Sequence, residues 1–322
     1  SGQRQVVFVT GESGFGKTVL IEAFLTQVAT LETVRIARGQ CLEQYGAGEA
    51  YLPVFEALGR FGKSADQDQF LTLLNRYAPT WLAQMPALMR QEDRQRLQRE
   101  ALSATPERML REMAETVEAL TADTPLVLVL EDLHWSDYST LDLLSALARR
   151  REAAQFLLIG VYRPAEVEMG NHPLRNVKQE LVAHGLCEEI ALESLGMPAV
   201  KAYLADKFAG GAAVVDLAPF VHRHTGGHPL FMVNAVEHLI GQGAISLDGN
   251  TWSVTAKIDD VEIAAPESLQ QIIVQRVERL KAEEQRTLEV ASVVGGEFSA
   301  AAAAVALQTE SAVIEEVCDE LA

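Results

Sequence analysis

The stretch VVFVTGESGFGKTVLIEAF, residues Val6 to Phe24, changes character in its middle. Val6 to Thr10 is a run of β-formers, and from Lys17 onward the apolar residues fall at helical spacing. Between them lie Gly11, Gly14 and Gly16, more glycines than a strand-to-helix turn needs for itself. Glycine opens backbone conformations closed to other residues. Successive N–H groups can then curl inward and face one centre at the start of a helix, where the dipole adds to their pull. Such a turn is built to hold an anion.

The pattern GESGFGKT, Gly11 to Thr18, fits G-x-x-x-x-G-K-[ST], the P-loop. Its expected nest comprises Gly11, Ser13, Gly14, Phe15 and Gly16, continued by Lys17, Thr18 and Val19 at the helix start. Lys17 would reach the β- and γ-phosphates, and the Thr18 hydroxyl can ligate Mg²⁺. ATP or ADP with Mg²⁺ is the ligand this predicts.

Further along, LVLVLED is an apolar strand ending in two adjacent carboxylates, Glu131 and Asp132, the Walker B arrangement. One should hold the Mg²⁺ shell and its neighbour should orient or polarise the attacking water. By position Glu131 takes the metal role and Asp132 the water role, in reverse of the commoner Asp-Glu order. Thr18, Glu131 and Asp132 are therefore the expected oxygen donors around the metal. FLLIGVYRP is the next strand and delivers Arg163 at its carboxyl end. Ligands of open α/β sheets bind there, so Arg163 can meet the γ-phosphate.

Five segments read as strands of a buried parallel sheet: Val6–Thr10, Val34–Arg38, Leu126–Leu130, Phe156–Val161 and Cys187–Leu192. Between the second and third lie about ninety residues, far more than a crossover needs. Helical spacing in EAYLPVFEALGRF, DQFLTLLNRYAP and ATPERMLREMAETVEAL makes this a helical insert, about 42–120, with Thr105 as a cap and Pro106 at the first helical position. The expected domains are 1–195, the nucleotide-binding unit; 196–243, helices only; and 244–322. The last opens with AISLDGNTWSVT, two alternating runs about an Asp-Gly turn that read as a hairpin. Helical patterns then run from Pro266 onward.

Composition excludes several classes. The 322 residues are 48% hydrophobic and 22% charged, as in an ordinary globular protein. With 45 acidic and 27 basic residues the net charge is −18, the wrong sign for a phosphate backbone, so no direct nucleic-acid contact is expected. The run RQEDRQRLQRE, Arg90 to Glu100, alternates signs and reads as a solvated helix face. No apolar run approaches a membrane span, so no membrane contact is expected. Cys41, Cys187 and Cys318 form no CxxC pair and fit a reducing, cytoplasmic location. The chain opens almost directly into a strand, which suggests a piece of a longer protein.

The motifs GESGFGKT, LVLVLEDLHWSD, LLIGVYRP and TGGHPLF, in that order, resemble the STAND-class AAA-type ATPases. These include the ATPase modules of large LuxR-type and AfsR-like transcriptional activators and of cyclase-linked signalling proteins. The resemblance covers essentially the whole chain. It implies strand order 5-1-4-3-2, a helical lid after the nucleotide domain, and a winged-helix domain, here partial, after the lid. It also implies a G-x-P motif, matched by Gly227, His228 and Pro229, whose proline packs on the adenine. A GR element that helps hold the base would precede this chain, and a phosphate-sensing histidine of some members would lie beyond Ala322. His222, His224 and His228 could suggest a metal site, but positions two apart face different sides of a helix and no Cys or carboxylate joins them.

The expected function is slow, Mg²⁺-dependent ATP hydrolysis used as a conformational switch inside a larger signal-transduction regulator. Its expected partners are other domains of that chain and further copies of itself. The alternatives are a non-hydrolysing nucleotide-bound scaffold, a DNA-loading AAA+ protein and a small-molecule P-loop kinase.

Overall fold

The computed structural model describes residues 3–30, 34–43, 49–62, 67–89, 93–102, 104–208, 211–248, 251–254, 274, 277, 280–294 and 298–321. The chain divides into two units, Ser1–Val200 with Thr225–Leu230, and Lys201–His224 with Phe231–Ala322. The elements of the first are β1 (Gln5–Thr10), α1 (Lys17–Ala29), β2 (Arg35–Gln40), α2 (Leu52–Phe61), α3 (Gln67–Tyr77), α4 (Pro79–Ala83), α5 (Arg94–Leu102), α6 (Pro106–Leu120), β3 (Leu126–Glu131), α7 (Tyr138–Arg149), β4 (Phe156–Tyr162), α8 (Pro164–Met169), α9 (Leu174–Ala183) and β5 (Glu188–Ala191).

All pairings in this sheet are parallel, in the order β2-β3-β4-β1-β5. That is the expected 5-1-4-3-2 read from the other edge. β3 explains why both faces are covered: every one of its residues is buried. Leu126, Leu128 and Leu130 face a large core shared with the helical insert, while Val127 and Val129 face Ile21 and Leu25 of α1. Glu131 continues the second series, so its carboxylate emerges on the α1 side of the sheet.

The insert belongs to the same core rather than standing apart. Val54, Phe61, Phe70, Leu74, Trp81, Leu97 and Met113 pack with the sheet residues. Trp81 is fully buried and donates its indole N–H to Met109 O at 2.8 Å. Glu112, also buried, accepts from Thr80 N, Thr80 Oγ1 and Arg108 Nε, which compensates its burial. Thr105 caps α6 as the sequence suggests, its side chain accepting from Arg108 N, with Pro106 next. β2 runs two residues beyond the expected Arg38 because Gly39 and Gln40 stay paired with β3. Gly39 is needed there: a Cβ would lie 1.8 Å from Pro53 O of α2.

The chain enters the second unit within α10 (Met197–Lys207) and continues through α11 (Ala212–Val215), α12 (Ala218–Thr225) and α13 (Pro229–Gly241). The hairpin follows as β6 (Ile245–Asp248) and β7 (Thr251–Val254), antiparallel, with Trp252 packed edge-on to Phe208 at 5.0 Å between ring centroids. Its turn, at 249–250, lies outside the described residues, as does most of the first helical segment expected from Pro266, residues 266–280. Helices at Ala282–Val294, Ala300–Leu307 and Ser311–Leu321 share a small core around Ala303, Ala304 and Ile314. Among the described residues no helix is long and apolar enough to cross a membrane.

Candidate functional site

The parallel sheet brings the carboxyl ends of β1, β3 and β4 side by side, and with them the loops that carry Lys17, Asp132 and Arg163. Gly14 and Gly16 hold left-handed φ values of 84° and 87°, and Gly16 leads directly into α1. Gly11 has φ 146°, and a Cβ on it would meet Leu192 O at 2.9 Å. The backbone therefore curls as the glycine pattern requires.

Lys17 is nearly buried and donates to Gly11 O at 2.5 Å and Glu12 O at 2.9 Å. Burial and the Arg163 guanidinium pull its ammonium down to about 8, against the opposing pull of Glu12, Asp132 and Glu166. Two cations held near each other at the mouth of a glycine nest suit an anion. Val19, on the α1 side of the nest, is 72% exposed, and Thr18 beside it is also exposed.

The two Walker B carboxylates diverge. Glu131 is ion-paired to Arg38 Nε, and Arg38 Nη1 pairs in turn with Glu22 of α1. Asp132 has the left-handed φ of 55°, and its Oδ2 accepts from Gln40 Nε2 at 3.0 Å. Asp132 acts electrostatically on Lys17 together with Arg163, Glu12 and Glu166. Three carboxylates thus accompany two cations around the nest. A triphosphate fits the Lys17–Arg163 pair, and the oxygen donors of Thr18, Glu131 and Asp132 suit a hard cation such as Mg²⁺.

Several contacts of this site involve residues in or beside the quoted motifs that had no such role in the sequence reading. Glu12 Oε1 accepts from Ala165 N at 3.1 Å and ties the P-loop to α8. Arg163 Nη1 donates to Glu166 Oε1 at 2.6 Å and its guanidinium lies 5.7 Å from the centre of the Trp135 ring. His134 follows β3 in a short 3-10 turn, with no side-chain exposure and neither ring nitrogen hydrogen-bonded. Burial pushes it down to about 4, despite Glu166 and Asp132, so its imidazole is neutral. Asp137 caps α7 by accepting from Thr140 N, and also accepts from Tyr51 N, which fastens the insert to this loop. A cavity of about 570 Å³ opens beside it, lined by Cys41, Trp135, Tyr138 and His172 among others. Among the described residues no P-loop residue, lysine or arginine lines it, so its lining does not suit a phosphate.

The Gly227-His228-Pro229 segment lies against the P-loop. His228 Nε2 donates to Ser13 O at 3.1 Å, the carbonyl fixing which nitrogen carries the proton. Leu230 N donates to Gly14 O at 3.2 Å, and the His228 ring meets Phe15 edge-on at 4.7 Å. Pro229 opens α13. Gly14 has no room to spare, since a Cβ there would lie 2.5 Å from His228 Cε1. Gly14→Ala should therefore lower the thermal midpoint, through about 1–2 kcal/mol of left-handed strain with the clash added. His228→Ala removes the closest clash along with its bond to Ser13, so Gly14→Ala should cost less in a His228→Ala background than in the wild type. An unchanged midpoint for Gly14→Ala would contradict this packing.

Residues 1–159 match the family model described as an AAA ATPase domain. No curated protein matches the chain. Among solved structures, a Walker-type ATPase of Pyrococcus abyssi superposes with TM-score 0.54 at 12% identity, over 98% of this chain and 85% of that one. A STAND protein (Signal Transduction ATPase with Numerous Domains) with a tetratricopeptide repeat sensor, from Pyrococcus horikoshii, gives 0.42 at 14% identity over 99% of this chain and 37% of its own. A RuvB variant of Thermotoga maritima gives 0.37 at 15% identity, over 97% and 77%. At these identities the likeness is one of fold, and the first of the three carries it. Family match and fold together support an AAA-type P-loop module in the first unit.

Proposed function

We propose that this protein is a signal-transduction ATPase that binds ATP with Mg²⁺, hydrolyses it slowly, and uses the nucleotide state as a conformational switch within a larger regulator. One observation carries the reading. Thr225–Leu230 belongs to the first unit, while the chain on either side of it belongs to the second. This short segment is hydrogen-bonded to the loop that would cradle the phosphates, through His228 to Ser13 O and Leu230 to Gly14 O. A ligand that reshapes the P-loop would therefore act on a segment bounded at both ends by places where the chain passes between the units. Differential affinity of ATP and ADP for two arrangements of that joint is what a switch requires.

In this reading the nest from Gly11 to Val19 holds the phosphates, with Lys17 neutralising the β- and γ-phosphates. Arg163 meets the γ-phosphate and Pro229 packs on the base. Thr18 and Glu131 stand on the metal side, and Glu131 is available there once it parts from Arg38. Asp132 stands on the water side. Mg²⁺, when bound, offsets phosphate charge. Residues 196–243 would serve as the lid and 244–322 as a partial winged helix, with other domains of a longer chain or further copies as partners in a cytoplasmic setting.

A switch must outlast the signal it reports. An arginine finger contributes roughly 10³ to 10⁵ in rate where present, and without one hydrolysis should fall well below about one turnover per second. Steady-state ATPase on the purified chain measures this. Turnover of tens per second without any partner would reject the switch in favour of an autonomous enzyme.

A further inference from the structure

We propose that Glu166 sets the preference between ATP and ADP by competing with the γ-phosphate for the Arg163 guanidinium. The inference rests on the reading that Arg163 meets that phosphate. Arg163 Nη1 donates to Glu166 Oε1 at 2.6 Å, and both side chains are about three-quarters covered, at 27% and 23% exposure. The guanidinium is thus already engaged by a carboxylate and by the face of Trp135. An incoming phosphate competes with Glu166 for it.

Glu166 also has somewhere to go. Its other oxygen, Oε2, lies 3.6 Å from His134 Nε2, just beyond hydrogen-bonding range. His134 is fully covered, and neither of its ring nitrogens has a hydrogen bond. A buried imidazole in that position is a vacant partner, and leaving it unsatisfied is unfavourable. With Arg163 on a phosphate, Glu166 can close the remaining gap to His134 and accept its N–H. The carboxylate thus has two partners and can serve one fully at a time. ADP lacks the γ-phosphate, leaves the Arg163–Glu166 pair in place, and so is blind to its strength.

Glu166→Gln keeps the shape and removes the charge that holds Arg163. Calorimetric titration of the intact chain with ATP and with ADP, both in Mg²⁺, reads the effect. ATP should bind about 1.5- to fivefold tighter than to the wild type, the range expected for a partly exposed ion pair, while ADP affinity stays unchanged. In an Arg163→Ala background the ATP gain should vanish, because nothing remains to be released. Equal tightening for ATP and ADP, a gain that persists without Arg163, or no gain at all would overturn the proposal. The single variant Arg163→Ala tests the parent reading separately. If it binds ATP like the wild type, Arg163 has no phosphate role and both ideas fail. If it loses ATP affinity while Glu166→Gln gains none, only the competition fails.

Discussion

Lys17→Ala should weaken ATP binding about 100-fold or more. The ammonium lies at the nest, and hydrogen bonds to charged partners contribute about 1.5–3 kcal/mol each. In the structure it rests on Gly11 O and Glu12 O, so it already lies at the concave side of the loop. Alanine suits the first turn of α1 and leaves the left-handed glycines untouched, so the fold should persist by circular dichroism. Removal of a buried, partly depressed ammonium also relieves its repulsion with Arg163. Wild-type ATP affinity in a folded Lys17→Ala protein would sink the assignment of this loop to phosphate binding.

The second large effect separates metal from water. Asp132→Asn should retain ATP and Mg²⁺ binding and lose about 10² to 10⁴ in turnover, since an amide cannot act as the base. The substitution is a clean one here. Asparagine tolerates the left-handed backbone that Asp132 adopts, and its amide oxygen can still accept from Gln40. Glu131→Gln should instead weaken the Mg²⁺ dependence of binding, with some loss of stability because Arg38 is deprived of one charged partner. If Asp132→Asn loses metal-dependent binding and Glu131→Gln loses only turnover, the two roles are exchanged.

What the sequence discloses depends on the range of the interactions involved. The five strands were legible because Val, Ile and Leu runs bounded by turn residues are local signals, and the strand order followed from the resemblance in motif order. Thr105-Pro106 was legible for the same local reason: a cap and its first helical residue are neighbours. The Val and Ile pattern of β2 stops at Arg38 and says nothing of Gly39 and Gln40, whereas pairing with β3 holds them extended. The strand-end argument placed Arg163 near the phosphates, and the structure brings Arg163 and Asp132 within electrostatic reach of Lys17.

Long-range contacts were silent in the sequence. His228 bonds to a loop 215 residues away, and its motif says nothing of that partner. The same bonds place Thr225–Leu230 with the first unit, a division that helical periodicity alone does not show. Arg38 and Glu131 are separated by 93 residues. Glu166 carried one usable hint: it stands three residues after Arg163, where a helix starting at Pro164 brings the two together. Its neighbour His134 stood in the LVLVLEDLHWSD motif without a role, because burial and hydrogen bonding are properties of the packed molecule.

Hydrogen exchange on the intact chain, compared without nucleotide, with ADP and with ATP in Mg²⁺, tests the central claim most directly. The decisive peptides cover Gly11–Thr18 and Thr225–Phe231, the latter including the Leu230 N–H that donates to Gly14 O. The account predicts protection of the first peptide by either nucleotide, and exchange in the second that differs between ATP and ADP. No change in the first peptide would contradict nucleotide binding by this loop. Protection of the first with identical exchange of the second in all three states would contradict the switch.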